Sequence, residues 1–318
     1  DEALLAHDIV DIEFDGIDTV AEVFVNDAPV LKVDNMFHRW RADVKGVLRP
    51  GENRVRVAIA APSRAANSES VRKARYGFGS AYSPECVTAG ICRAVRLRAW
   101  NVAHFCDFGL SQGHEADGVT IFIGGWIETA GDLAAGLGVR FEIADPDGVC
   151  ACRGSGEVRE GGDGAFHAKG YVAAPRLWWP NGLGEQPLYR IEVALCDAAG
   201  AELDRIACRI GLRTLAVDED ETGGSSRLAC NGVPFALRGG VWIPPGLFPS
   251  RVSGEDYAYL VGSAAEAGLN ALRLWEGGTF EDEAFWDACD ERGIIVLGVA
   301  EAGSAAGGDG EDDPEDNR

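Results

Sequence analysis

The sequence predicts a mainly β protein: two β-sandwiches in series, then the opening strands of a parallel α/β barrel. Three observations predict it. Residues 8–215 are short runs of alternating apolar and polar residues, separated by Gly, Asn, Asp and Pro turn signals. Near residue 228 this gives way to strand, helix, strand, helix, strand, the order that builds a parallel sheet. The chain has 318 residues and 46% hydrophobic content, enough for two or three packed domains.

The first sandwich is expected over residues 1–102. In DGIDTVAEVFVND, Ala21, Val23 and Val25 point to one face and Val20, Glu22, Phe24 and Asn26 to the other. Asn26-Asp27 marks a turn, and Pro50-Gly51 a second one before NRVRVAIAA. After the polar stretch SRAANSESVRKARYG, Arg93–Trp100 alternates again. A second sandwich, of immunoglobulin-like size, is expected over residues 103–215. Its strand candidates are 119–127, 137–143, 156–159, 165–172, 188–195 and 202–212.

The third region is expected over residues 216–300. An Asn231-Gly232 hairpin turn precedes an apolar strand at Phe235–Arg238. Ser253 reads as the N-cap of a helix to Ala267, with Leu260, Val261 and Ala264 inward. A strand follows at Asn270–Trp275. A helix at Phe280–Arg292 places Phe285, Trp286 and Cys289 on one side and ends at Gly293, before a third strand at Ile294–Val299. A closed barrel of eight such units takes ~250 residues, so three strands are an opening only. Residues 301–318, with seven acids, one Arg and no periodicity, read as a disordered acidic tail.

Composition excludes several classes of function. Net charge is −22, with 51 acidic against 29 basic residues, which repels nucleic acid phosphates and anionic membrane surfaces. No run of 18 apolar residues is present, so no spanning helix is expected. The nine cysteines are irregularly spaced; Cys150-Ala-Cys152 is the one close pair and has no zinc-type mate. They read as free thiols of a reducing compartment. With no signal peptide visible, a cytoplasmic location is expected, although the chain begins at Asp1 and an N-terminal piece is open. No cofactor and no metal site is expected.

One stretch stands apart. LNALRLWEGG (269–278) reads as a buried strand ending in Arg, Trp and two glycines. A cation and a large aromatic at a strand's C-terminal end suit a binding function.

Longer motifs sharpen this. DGIDTVAEVFVND, VDNMFHRWRADV, VRKARYGFGSAYSPECVTAGICRAVRLRAW, PRLWWPNGLGEQPLYRIEV, NGVPFALRGGVWIPPGLFPSRV and LNALRLWEGGTFEDEAFWDACDERGIIV occur in order. Together they resemble the family 2 glycoside hydrolases, and within them the β-mannosidase branch more than the exo-glucosaminidase or β-galactosidase branches. The resemblance implies a galactose-binding-like sandwich, an immunoglobulin-like sandwich and the first three strands of a TIM barrel. It implies a retaining hydrolase that releases terminal β-D-mannose, with a β-mannoside or manno-oligosaccharide as its partner. By position in the motifs, Arg273 would order the nucleophilic carboxylate, Trp275 would line the mannose subsite, and Trp242 would bind substrate beside them.

The same resemblance marks departures. Both catalytic carboxylates of the family sit on later barrel strands, so no residue here takes either role and the chain alone is expected to be inactive. The family's Trp-Asp-Trp-Gly loop reads Ser80, Ala81, Tyr82 and Ser83 here. The Asn before Trp-Ile-Pro is Val241, and the Gly after the strand-two Trp is Glu276. Ser80, Ala81 and Val241 therefore read as degraded pocket positions. The alternative function is an inactive remnant that acts at most as a weak carbohydrate-binding module. Trp178-Trp179 reads as packing at a domain junction rather than as a sugar platform.

Overall fold

The computed structural model describes residues 2–61, 72–80, 82–131, 136–159, 164–219 and 226–298. The side chain of Ser80, all of Ala81 and the 301–318 tail lie outside the described residues.

A short helical turn, α1 (Glu2–Leu5), leads into ten strands: β1 (Ile9–Phe14), β2 (Ile17–Asp18), β3 (Ala21–Val25), β4 (Ala28–Val33), β5 (Trp40–Asp43), β6 (Val55–Ile59), β7 (Phe78–Ser80), β8 (Ser83–Glu85), β9 (Gly90–Ile91) and β10 (Val95–Trp100). Two three-stranded antiparallel sheets, β10–β1–β5 and β4–β3–β6, enclose a core of Val10, Ile12, Phe14, Val23 and Val25. In β3, Ala21, Val23 and Val25 are the buried positions, as the alternation requires. Asn26 and Asp27 both hold positive φ (50° and 67°), the hairpin geometry that Asn and Asp tolerate best.

The second body comprises β11 (Ala103–His114), β12 (Gly118–Thr129), β13 (Gly138–Ala144), β14 (Cys150–Val158), β15 (Ala165–Ala173), β16 (Leu188–Cys196) and β17 (Glu202–Gly211), in the order β11–β12–β15–β14–β13–β16–β17. β14 and β15 share only two paired positions, Glu157↔His167 and Val158↔Phe166. There the sheet folds over, so that its two halves pack as a sandwich. Side chains close the far side: Gln112 Nε2 on β11 donates to the Gly211 carbonyl, 3.2 Å, and Asp204 of β17 accepts from the Phe105 N–H, 2.9 Å. Strand β14 is longer than the 156–159 candidate. Cys150 and Cys152 therefore lie on a strand, where a free thiol serves as a small apolar side chain.

The third body opens with an antiparallel hairpin set, β18 (Leu215–Glu219), β19 (Ser226–Cys230) and β20 (Val233–Phe235). Three parallel strands follow in sequence order: β21 (Gly239–Trp242), β22 (Ala271–Leu274) and β23 (Ile295–Leu297). The expected apolar strand at 235–238 is instead split. Phe235 ends the hairpin, the Arg238 N–H turns to the Asn270 side chain at 2.8 Å, and the first parallel strand starts at Gly239.

Helix α2 (Gly254–Glu266) begins with a full capping box, in which Ser253 and Asp256 satisfy each other's backbone N–H. Helix α3 (Glu283–Arg292) starts three residues later than the apolar pattern suggests, because Asp282 caps it and Phe280 stays in the loop. It ends where Gly293 turns left-handed, φ 70°. Val261, Phe285 and Cys289 are buried between helices and sheet, whereas Trp286 is 41% exposed. No helix among the described residues is long and apolar enough to cross a membrane.

Candidate functional site

Alternation along the parallel strands sorts the site residues onto two faces. Val241, Arg273 and Leu297 are aligned across β21, β22 and β23. Below them, Ala271 and Ile295 pack on Trp178, Leu228 and Phe235, so the hairpin set and the second sandwich fill that end. In the row itself Leu297 is half-buried, whereas Val241 and Arg273 are exposed. Val241 is 51% exposed, and Arg273 is exposed with no ion pair or side-chain hydrogen bond there. An unpaired guanidinium at a strand's C-terminal end is a ready fork for a carboxylate.

Trp242, expected beside Arg273 and Trp275, is on the opposite face, toward the helix layer. Its neighbours are Tyr257 of α2 and Phe285 of α3, the latter with ring centroids 4.7 Å apart. Its indole Nε1–H donates to Glu281 Oε1 at 2.7 Å, and it is only 8% exposed. In a strand of four residues, one position decides the face. Val241 takes the open side, so Trp242 must enter the helix layer.

Trp275 follows β22, and its indole is half-buried. Its backbone N–H bonds to the Trp242 carbonyl at 3.0 Å, continuing the ladder by one residue. The ring lies across Gly277, where a Cβ would come within 2.5 Å of the indole, so the loop admits no side chain at that position. Two tyrosines of the first sandwich meet it edge-on: Tyr76 at 5.9 Å and 70°, and Tyr82 at 5.9 Å and 71°. Ser83 fixes that loop by donating its hydroxyl to the Tyr76 carbonyl. The first sandwich and the second parallel strand thus build one wall, with Arg273 beside it in sequence.

The loop carrying Trp275 is anchored on both sides. Arg93 of the first sandwich donates to the Phe280 carbonyl and lies 3.7 Å from the Asp282 carboxylate. Phe37 meets the Phe280 ring edge-on at 5.5 Å. On the inner side Glu281 is buried, accepting from Trp242 and, at 2.6 Å, from the Tyr257 hydroxyl. Burial pushes its carboxyl above the ordinary carboxylate range, opposed by those two hydrogen bonds and by Arg93.

In the first sandwich, Asp18 and Lys73 form a buried ion pair, with Thr88 donating to Asp18 at 2.7 Å. The second junction of the molecule centres on Trp178, whose indole N–H donates to the Asp290 carbonyl at 2.7 Å beneath the Arg213 guanidinium. Asn181 joins it, its amide reaching the carbonyls of Ala265 and Leu269 at 2.7 and 2.8 Å. The PRLWWPNG motif therefore joins the second sandwich to the parallel sheet through backbone acceptors.

Cys289 is buried and Cys208 half-buried. Burial pushes Cys289 up to about 12 and Cys208 up to about 11, so both stay protonated at neutral pH. No group of His, Cys, Asp and Glu among the described residues could hold a metal ion.

Sequence reasoning singled out Arg273, Trp275 and Val241, which the fold brings to one end of the sheet. It missed Tyr76, Arg93, Phe280 and Glu281. Tyr76 and Arg93 sit within a motif already noticed, but their partners are about 190–200 residues away and no local pattern announces them.

Comparison with known proteins places this arrangement. Two family models match: "Glycosyl hydrolase 2 galactose-binding domain-like" over residues 1–93 and "Glycosyl hydrolases family 2" over residues 124–213. The chain is 29% identical to a β-mannosidase of Capra hircus over 90% of its length, and 32% identical to β-mannosidase B of Aspergillus terreus over 92%. The crystal structure of a β-D-mannosidase from Dictyoglomus thermophilum superposes with a TM-score of 0.84 at 32% identity, over 94% of the chain. The chain spans 36%, 37% and 39% of those three proteins' own lengths.

Proposed function

The chain belongs to the family 2 glycoside hydrolases, in their β-mannosidase branch, and we propose that it supplies the sugar-binding half of a retaining β-mannosidase site. The substrate is a terminal, non-reducing β-D-mannose residue. The observation that carries this reading is the unpaired Arg273 guanidinium at the C-terminal end of β22, next in the chain to the tyrosine-backed Trp275 wall.

Each group has a role in that chemistry. The half-buried Trp275 indole suits the C–H surface of a pyranose. Arg273 holds and orients the nucleophilic carboxylate, keeping it ionised at neutral pH. Retention needs that nucleophile and an acid/base carboxylate about 5–5.5 Å apart. We assign both to later strands of the barrel, as in the family, and none of the described carboxylates to either role. Trp242 acts at one remove, through Glu281, and not on the sugar.

Val241 and Ala81 favour a second reading, binding without hydrolysis. A methyl and an isopropyl replace groups that could hydrogen-bond a sugar hydroxyl, each bond worth about 0.5–1.5 kcal/mol.

Turnover of an aryl β-mannoside tests both. The chain of 318 residues alone should show none above a mock preparation. A protein that continues the barrel should hydrolyse it with retention, and Arg273→Ala should lower kcat by roughly 10²-fold or more. Turnover by the chain alone would overturn the assignment of the carboxylates. Mannoside binding without turnover in the longer protein would favour the second reading.

A further inference from the structure

In the loop 275–282 the buried positions are Gly277 and Glu281, while Glu276 and Phe280 are exposed. Gly277 and Gly278 lie against Trp275 and Pro244, and Phe280 is 59% exposed. Its position depends on what grips it, and two charged side chains do so from opposite sides.

From the barrel side, Glu281 ties three elements together. It accepts from Trp242 on β21 and from Tyr257 on α2, and it precedes the Asp282 cap of α3. An indole N–H can only donate, so the buried side chain opposite it must accept. A carboxylate presents one oxygen to each donor. A carboxylate with two neutral partners is expensive to bury, which leaves a nearby cation as the compensating feature. Arg93 is the cation that reaches the residues on either side of Glu281. It comes from the first sandwich, donates to the carbonyl of Phe280, the residue next to Glu281, and faces Asp282 at 3.7 Å. The other charged or titratable groups facing Glu281 are Tyr257, Asp282 and Cys289.

We propose that Glu281 and Arg93 are a coupled pair of positioning residues. They hold the 275–282 loop, and with it the Trp275 indole, against Tyr76 and Tyr82 of the first sandwich. Neither touches the sugar. The pair sets the width of the wall between sandwich and barrel. The inference rests on the proposed function only in taking that wall as sugar-facing.

Hydrogen exchange read by mass spectrometry at pH 7.5, with no sugar present, tests it on the chain itself. Arg93→Met should raise exchange at least tenfold in peptides covering 275–282 and in those covering 76–86. Peptides from β12 to β16 should keep wild-type rates. Glu281→Gln can preserve both hydrogen bonds, because the Tyr257 hydroxyl can turn to accept from the amide. It should therefore melt like wild type, yet its 275–282 peptides should exchange at least threefold faster. Glu281→Gln combined with Arg93→Met should exchange no faster than Arg93→Met alone, since the two act on one contact. Glu281→Gln indistinguishable from wild type, or two effects that multiply in the double variant, would overturn the coupling. Loop exchange unchanged in Arg93→Met would overturn the clamp. Because exchange is read without substrate, a failed clamp and a failed β-mannosidase reading are separate results.

Discussion

Trp178 is the side chain on which the junction between the second sandwich and the barrel sheet depends, and replacing it with Phe should be costly out of proportion to the change in size. Trp178 has no exposed surface and is the largest fully buried side chain among the described residues. Its indole N–H meets the Asp290 carbonyl at 2.7 Å across the junction, and its ring contacts Ala271 and Ile295 of the parallel strands. Phe lacks the N–H, so the Asp290 carbonyl loses its cross-junction donor, a loss of about 1–3 kcal/mol. The vacated pyrrole edge removes at least one methylene-sized contact, about 1 kcal/mol more with its cavity. The sum is about 2–4 kcal/mol. Trp179 provides the control: it is half-buried, packs on Gly184 and has no indole hydrogen bond among the described residues, so Trp179→Phe should cost under about 1 kcal/mol. Urea unfolding by circular dichroism, with hydrogen exchange on 271–297, reads both variants. Exchange should rise in β22 and β23 for Trp178→Phe and stay put for Trp179→Phe. Equal costs in the two variants, or a Trp178→Phe cost below 0.5 kcal/mol, would refute the junction argument.

Three further outcomes follow from named contacts. His104 is buried between the first two sandwiches, against the Trp100 ring and 3.3 Å from Arg41. Burial, then Arg98, lowers its pKa below the ordinary 6.5, so its stabilisation is complete above that value and is lost as pH falls below it. A melting-temperature profile from pH 8 to 5 should slope downward below pH 6.5 in the wild type and flatten in His104→Gln; parallel profiles would remove His104 as the cause. Lys73→Met strands the buried Asp18 carboxylate and should destabilise the first sandwich by about 3–5 kcal/mol. Adding Asp18→Asn to that variant should recover much of the loss in the same thermal melt, and no recovery would mean that packing, not charge, is at stake. Ser253→Ala removes the α2 capping box and should cost about 1 kcal/mol in urea unfolding, with Ser253→Thr close to wild type.

How much of this was legible beforehand differs by range of interaction. Turns and caps were readable because their physics is confined to a few residues: Asn26-Asp27 accepts positive φ, Ser253 and Asp256 reach each other's amides, and Gly293 relieves a left-handed stop. Strand and helix identities followed from periodicity for the same reason. The ends were less secure. The 235–238 segment is apolar enough for a strand, yet Arg238 is drawn away by Asn270, 32 residues on. Periodicity marks only the end of β14, because its exposed residues Ala151 and Arg153–Ser155 lack a strand's apolar face.

The site divides along the same line. Arg273 and Trp275 belong to one short stretch, so local pattern alone drew attention to them before any fold was known. Whether a tryptophan beside such a motif faces sugar or core is another matter. The sheet's alternation sends Trp242 into the helix layer, onto Glu281. By itself the sequence determined the element types and the family, because these depend on local pattern. Only the tertiary structure decided which face each strand residue takes and which distant side chains, Tyr76, Tyr82, Arg93 and Glu281, complete the wall. Those contacts join residues that are neighbours in space alone, and no periodicity in the chain encodes them.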